Sequence, residues 1–358
     1  MRTPAPTAQM RLRLVNGLAS LPSAVQRRLA GPAVVIDGQQ LDLETQLWLK
    51  LLELADAPDR DVMTVTEVRA MVADGEAVTQ GRKLDGVRVQ ELMVEGAAGH
   101  IPARLYVPDR AGMPEPDEHG DALLVFYHGG GFVVCDLDTH DNPCRSIAHH
   151  AGVRVLSVDY RRAPEHRFPA AFDDAVAAFR FAVERAGDLG ADPARIGVGG
   201  DSAGGNLAAG VARVTAGAGG NLAPALQVLL YPWLDLAEKR ASYDLFGAGF
   251  DLTAADLEWF THHYVPEAAS ARDPRCSPSL ADDIEGAPPA YVATAGFDPL
   301  RDEAEEYARR LRDAGVAVAL RRHPGLIHGF LNLMAIGHTN GEAILEAAGA
   351  VRFGLARR

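Results

Sequence analysis

Apolar residues fall in helical rows at the start of the chain and in short compact blocks after it. Between Leu41 and Leu54, the residues Leu43, Leu47, Leu51 and Leu54 share one helical face. Val65, Val68, Met71 and Val72 give a second helix with an apolar stripe. Residues 1–80 therefore read as helical. From Val87 the period changes. Val87, Val89, Leu92 and Val94 form a strand-like stretch whose alternation shifts phase after Val89, a pattern that a bulge would produce. Beyond a Gly-containing turn, Ile101, Ala103, Leu105 and Val107 alternate at period two and complete a predicted hairpin. Apolar runs of strand length follow at Ala122–Tyr127, Val153–Asp159, Arg195–Gly199, Leu226–Tyr231, Tyr291–Ala295 and Val316–Arg321. Most are followed by a loop and a helical segment. Short apolar runs alternating with helices predict an α/β fold with a mostly parallel sheet of about eight strands, the first pair antiparallel.

Residues 233–285 break this rhythm. They hold no strand-like run and several helical pieces, including Ala254–Tyr264. An insertion placed after a strand lies over the strand ends, where it would form a cap together with the N-terminal helices. The expected organisation is a helical segment 1–80 contributing to the cap, a sheet domain in two parts (81–232 and 286–358), and the helical insertion 233–285 between them. Met113–Asp121, rich in proline and acids, reads as an exposed loop.

A chain of 358 residues that is 47% hydrophobic and 23% charged can bury a large core. Its net charge of -13 repels a polyanion at long range, so no nucleic-acid partner is expected. Cys135, Cys144 and Cys276 are few, odd in number and scattered. They point to free thiols in a reducing, cytoplasmic setting and to no zinc site. No apolar run approaches a membrane span. The first 36 residues carry Arg2, Arg11, Arg13, Arg27 and Arg28 and no acid. Their apolar residues, among them Leu12, Leu18, Val25 and Leu29, are interspersed with polar ones, so there is no secretory core. A helix packed on the body is the favoured reading, with weak membrane contact by a basic amphipathic helix as its alternative.

Chemistry concentrates in three places. Gly200-Asp201-Ser202-Ala203-Gly204 sits between the apolar run Ile196–Gly199 and a small-residue helical pattern, Gly205–Ala212. A serine at such a strand–turn–helix apex is held with its hydroxyl above the sheet end. His128-Gly129-Gly130-Gly131-Phe132 directly follows the strand Leu123–Tyr127, and its unshielded backbone N–H groups suit a developing oxyanion. A serine nucleophile also needs a base, and the base needs a carboxylate to fix its tautomer. In this topology the order is Ser, then Asp or Glu, then His. Asp298 follows the seventh strand and His328 the eighth. Asp302 and His323 are the weaker competitors. His140, His149, His150, His262 and His263 read as structural, and His128 as a residue that orients the glycine loop through hydrogen bonds.

These motifs, with Asp159-Tyr160-Arg161-Arg162-Ala163-Pro164-Glu165-His166, Phe297-Asp298-Pro299-Leu300 and His328-Gly329-Phe330, resemble the bacterial hormone-sensitive-lipase family of carboxylesterases, over roughly residues 85–355. The resemblance implies an α/β-hydrolase fold with a helical cap. It implies a triad of Ser202, Asp298 and His328, and an oxyanion hole from the N–H groups of Gly130, Gly131 and Ala203. It implies hydrolysis of short- to medium-chain esters without metal or cofactor. Phe132, Asp201, Tyr231, Leu300 and Ile327 are the candidates for the substrate pocket. The expected partner is a small-molecule ester, and a homodimer stays open. A non-catalytic receptor, or a lipase or amidase with the same triad, is the alternative. Two positions depart from the family pattern. Cys135 stands where glycine is usual, and would narrow the pocket or expose a thiol. Arg162 stands where an apolar residue is usual.

Overall fold

The computed structural model describes residues 17, 21–54, 60–109, 120–217 and 223–356. Much of the basic leader and most of Met113–Asp121 lie outside them. A two-residue hairpin, β1 (Val35–Ile36) and β2 (Gln39–Gln40), turns through Asp37-Gly38. It interrupts the segment expected to be helical throughout. Asp-Gly is a strong hairpin-turn signal, and both residues have positive φ here.

The main sheet has eight strands: β3 (Val87–Gly96), β4 (Gly99–Pro108), β5 (Asp121–Tyr127), β6 (Arg154–Val158), β7 (Ala191–Asp201), β8 (Gln227–Leu230), β9 (Ala290–Phe297) and β10 (Val318–Ile327). Their order is β10-β9-β8-β7-β5-β6-β4-β3. Only β4 runs against the rest, pairing antiparallel with both β3 and β6. β5 shows why the central strands are apolar throughout. Leu123, Val125 and Tyr127 enter the core on one face, and Leu124 and Phe126 enter the core on the other.

The expected bulge in β3 is absent. Its pairing with β4 is regular from Val87↔Pro108 to Gly96↔Gly99. The phase shift has another cause. Val87 and Val89 pack into one core layer, whereas Leu92 and Val94 pack into the opposite layer. Each end of this edge strand is covered on a different face, so the apolar parity changes while the ladder does not.

One face of the sheet is covered by α4 (Asp141–Ala151) and α10 (Gly337–Gly354). The other is covered by α5 (Ala170–Glu184), α6 (Ala203–Gly217) and α9 (Arg301–Asp313). The N-terminal segment divides. Helix α1 (Ser23–Ala30), the hairpin and α2 (Leu43–Leu54) lie beside β10, where the Asp42 N–H donates to Gly325 O at 2.9 Å. Leu47 is buried in α2, but Leu54 is 71% exposed and does not join the expected face. Helix α3 (Val65–Thr79) opens on a capping box between Thr64 and Glu67 and reaches the glycine loop instead. In the insertion, α7 (Ala241–Phe246) is followed by α8 (Ala254–Tyr264), which begins on a second capping box, Thr253 with Asp256. Arg60 ties the two regions, pairing with Asp256 at 2.5 Å.

Candidate active site

Ser202 follows β7 directly and has φ 52°, a left-handed conformation that costs roughly 1–2 kcal/mol for a residue with a Cβ. Its N–H donates to Leu230 O at 2.9 Å, and α6 starts at the next residue. Helix and sheet touch there: a Cβ on Gly204 would overlap the Tyr127 carbonyl. Ser202 is 8% exposed.

Asp298 leaves β9 fully buried, and one carboxylate oxygen accepts the Leu300 N–H at 2.8 Å. β10 loses register between His323 and Ile327, across Pro324-Gly325, and delivers His328 at its end. His328 Nδ1 lies 2.8 Å from Asp298 Oδ2, and Nε2 lies 2.9 Å from Ser202 Oγ. An ionised carboxylate only accepts, so Nδ1 carries the proton. Nε2 is left with its lone pair toward the serine hydroxyl. The edge of Tyr231 packs on the imidazole at a centroid distance of 4.8 Å.

The glycine loop is tightly folded. Gly130 and Gly131 have φ 103° and 58°, and Gly130 O accepts the N–H groups of Val133 and Val134. Phe132 stacks on Tyr264 at 3.9 Å, while Phe260 of α8 lies against Gly131. His128 behaves as expected of a loop orienter. Its Nδ1 is 2.7 Å from Gly129 O, and its ring stacks on Tyr160 at 4.4 Å. Arg69 of α3 donates to the carbonyls of Val133 and Ala163 at 2.8 Å each.

Phe132, Asp201, Tyr231, Leu300 and Ile327 are each at most 3% exposed. One expectation needs correction. The Cys135 thiol is buried, not exposed, and burial pushes it well above the ordinary thiol range. Cys135 has φ 66°, the conformation in which glycine costs least. Arg162 donates to the Cys135 carbonyl, so the two departures from the family pattern touch. His323 lies within β10, edge-on to Phe330, and Asp302 accepts the Ser242 N–H of α7. Among the described residues no cluster of His, Cys, Asp or Glu could hold a metal ion, and no helix is long and apolar enough to cross a membrane.

Sequence reasoning missed Phe260, Arg69 and the contacts of His140. Their partners lie on distant segments, and periodicity gives no signal for such contacts. Asp138-Thr139-His140-Asp141, four polar residues at a helix start, was the one local hint for His140.

A buried serine–histidine–aspartate line beside a glycine loop, at the carboxyl edge of this sheet, defines the class. The chain belongs to the α/β-hydrolase fold family, whose model matches residues 124–332, and within it to the hormone-sensitive-lipase family of carboxylic ester hydrolases. It is 46% identical over 353 residues to the carboxylic ester hydrolase LipN of Mycobacterium tuberculosis, covering 96% of this chain and 91% of that one. It is 40% identical over 287 residues to an ethyl acetate hydrolase of Pseudomonas putida, covering 80% and 89%. Among solved structures it resembles the ester hydrolase EH1AB1 from the Lake Arreo metagenome, in complex with a bipyridine phosphonate derivative. That likeness has a TM-score of 0.83 at 40% identity and covers 87% of this chain and 98% of that one.

Proposed function

We propose that this ester hydrolase works by two-step acyl transfer on short- to medium-chain esters. The observation that carries the reading is the unbroken hydrogen-bonded line from Ser202 Oγ through His328 to Asp298. His328 Nε2 removes the serine proton as Oγ attacks the ester carbonyl, and Asp298 stabilises the imidazolium that forms. The N–H groups of Gly130, Gly131 and Ala203 receive the oxyanion. One such donor contributes roughly 3–4 kcal/mol to lowering the barrier. His328 then protonates the departing alcohol, and water deprotonated by the same nitrogen releases the acid. Residues 60–79 and α8 serve as the cap. Their reach onto the glycine loop through Arg69 and Phe260 supports that role.

Ser202→Ala tests the assignment. Turnover of a short-chain nitrophenyl ester should vanish while circular dichroism and the melting temperature persist. Retained turnover defeats it. A chain-length series tests the substrate class, which fails if preference rises toward long acyl chains.

Weak membrane contact at α1 is supported by Val25 and Leu29, 42% and 48% exposed beside Arg28. Flotation with anionic vesicles tests it, and Val25→Ser/Leu29→Ser should abolish any binding.

A further inference from the structure

We propose that His140 is a positioning residue for the ester chemistry. As a buried imidazolium paired with Asp201, it secures the carboxylate that joins the glycine loop to the nucleophile elbow, and it cancels that carboxylate's charge behind the reacting centre. The inference rests on the Ser202 reading given above.

The partners of His140 determine its protonation. His140 is fully buried and Asp201 is 3% exposed. The Thr139 hydroxyl spends its proton on the Asp136 carbonyl at 2.8 Å, yet its oxygen is 3.1 Å from His140 Nδ1. With the hydroxyl proton on the Asp136 carbonyl, Nδ1 is the donor to the Thr139 oxygen. On the other side of the ring, Nε2 is 3.2 Å from Asp201 Oδ1, an atom that accepts when ionised. Asn332 Nδ2 also lies 3.2 Å from Nε2, while the Asn332 carbonyl oxygen has no partner among the described residues. The O and N positions of an amide are interchangeable by a half-turn, and turning this one aims its unpartnered carbonyl at Nε2–H. Two donating nitrogens make an imidazolium. Burial opposes this charge, but Asp201, Glu76 and Asp136 together raise the His140 pKa above the ordinary histidine value. Burial likewise opposes the Asp201 carboxylate, and His140 nevertheless holds its pKa below the ordinary value.

Asp201 immediately precedes Ser202, and its Oδ1 accepts the Gly129 N–H at 2.9 Å. Gly129 immediately precedes Gly130-Gly131. A single carboxylate thus spans the two backbones that must stay in register for attack and oxyanion capture. Its other oxygen faces the Tyr231 hydroxyl at 3.4 Å, and Tyr231 packs on His328. Without a counter-ion this carboxylate would oppose a second negative charge forming nearby, or would take up a proton and hold the Gly129 N–H more weakly. Glu76 from α3, Asp136 from the preceding turn and Asp201 from the elbow face His140. The neutral Asn332, the His128 ring 5.6 Å away and the Phe126 ring 6.5 Å away also lie around it. Burial holds the Glu76 carboxyl up at about 8, so near neutral pH Asp201 and Asp136 supply the charge that favours the cation. Because the His140 pKa is raised, the imidazolium persists above the ordinary histidine value and is lost as pH climbs through the raised one.

The test uses the full chain. Neutron diffraction on the wild-type protein should show hydrogen on both ring nitrogens of His140. His140→Asn should lower kcat roughly 10- to 100-fold with KM little changed, less than the roughly 10²- to 10³-fold lost when an oxyanion donor is removed outright. His140→Asn/Asp201→Asn should recover part of that loss, because a neutral amide at position 201 still accepts from Gly129 and needs no counter-ion. The alkaline limb of the wild-type kcat profile should disappear in the double variant. A single hydrogen on His140, an unchanged kcat in the single variant, or a double variant no better than the single overturns the proposal. If the variants do not fold, the neutron result decides alone. Labelling of Ser202 by a phosphonate ester is read separately, so failure of the esterase reading is distinguished from failure of this one.

Discussion

Phe260 of the insertion lies directly against Gly131 of the glycine loop, so close that a Cβ on Gly131 would fall within the aromatic ring. Gly131 also has φ 58°. Any side chain there is penalised twice, by backbone strain of roughly 1–2 kcal/mol and by displacement of Phe260 or of the loop. Gly131→Ala should lower kcat on a short aryl ester roughly 10²- to 10³-fold, the size of losing one oxyanion donor. Adding Phe260→Ala removes the overlap but not the strain, so the double variant should regain only part of the loss. Wild-type kcat in Gly131→Ala would show that this contact has no bearing on the loop.

Asp298→Asn isolates the role of the orienting carboxylate. Asp298 is fully buried and receives both His328 Nδ1–H and the Leu300 N–H. An asparagine amide can turn its NH₂ toward Nδ1, which moves the proton to Nε2 and leaves no lone pair for the serine. The expected loss in kcat is about 10⁴-fold with little change in KM. A loss smaller than about tenfold would mean that the His328 tautomer is set by something else.

What the sequence disclosed followed the range over which each signal acts. Ser202, Asp298 and His328 were legible because each sits just past an apolar strand, and strand order dictates which loops share an edge. The two halves of β3 were misread because parity along an edge strand depends on which layer covers each end, a tertiary property. Leu54 was placed on the α2 face by periodicity, but that face has no neighbour so near the helix end. The Asp201–His140 pair joins segments 61 positions apart, and no local pattern announces it.

Arg69 and Glu165 form a two-point ion pair with both contacts at 2.7 Å, fastening α3 to the segment after β6. The hydrogen bonds from Arg69 hold the Glu165 carboxyl at about 2, against an ordinary value of 4.5. For a lowered carboxyl pKa, the stabilisation is present above the ordinary value and lost as pH falls toward the folded one. The stability difference between wild type and Glu165→Gln should therefore be constant above about pH 4.5 and close toward pH 2. Because Glu165 is 55% exposed, the difference should not exceed about 1 kcal/mol. Arg69→Met should cost about 1–3 kcal/mol, since the Val133 and Ala163 carbonyls lose their donor as well. Urea titrations across this pH range provide both readings.

Glu303 gives the opposite sign. It is 1% exposed, and its Oε1 accepts the N–H groups of Leu234 and Asp235 at 2.7 and 3.0 Å, where the insertion begins. Trp233, one residue earlier, donates its N–H to Ser202 O at 3.1 Å, so Glu303 anchors the chain just beside the elbow. Burial pushes this carboxyl well above its ordinary 4.5, the two backbone donors oppose that only in part, and Asp235 and Asp298 add to the rise. The folded protein then binds a proton that the unfolded chain releases above about pH 4.5, so this residue makes stability fall as pH rises. Glu303→Gln keeps an oxygen for both N–H groups and has no proton to lose. It should melt higher than wild type at pH 8 and converge with it near pH 4.5. Glu303→Ala, which strands both donors, should be less stable than wild type throughout, by about 1–3 kcal/mol. A glutamine variant less stable than wild type at alkaline pH would show that Glu303 is ionised in the fold and that its charge is needed there.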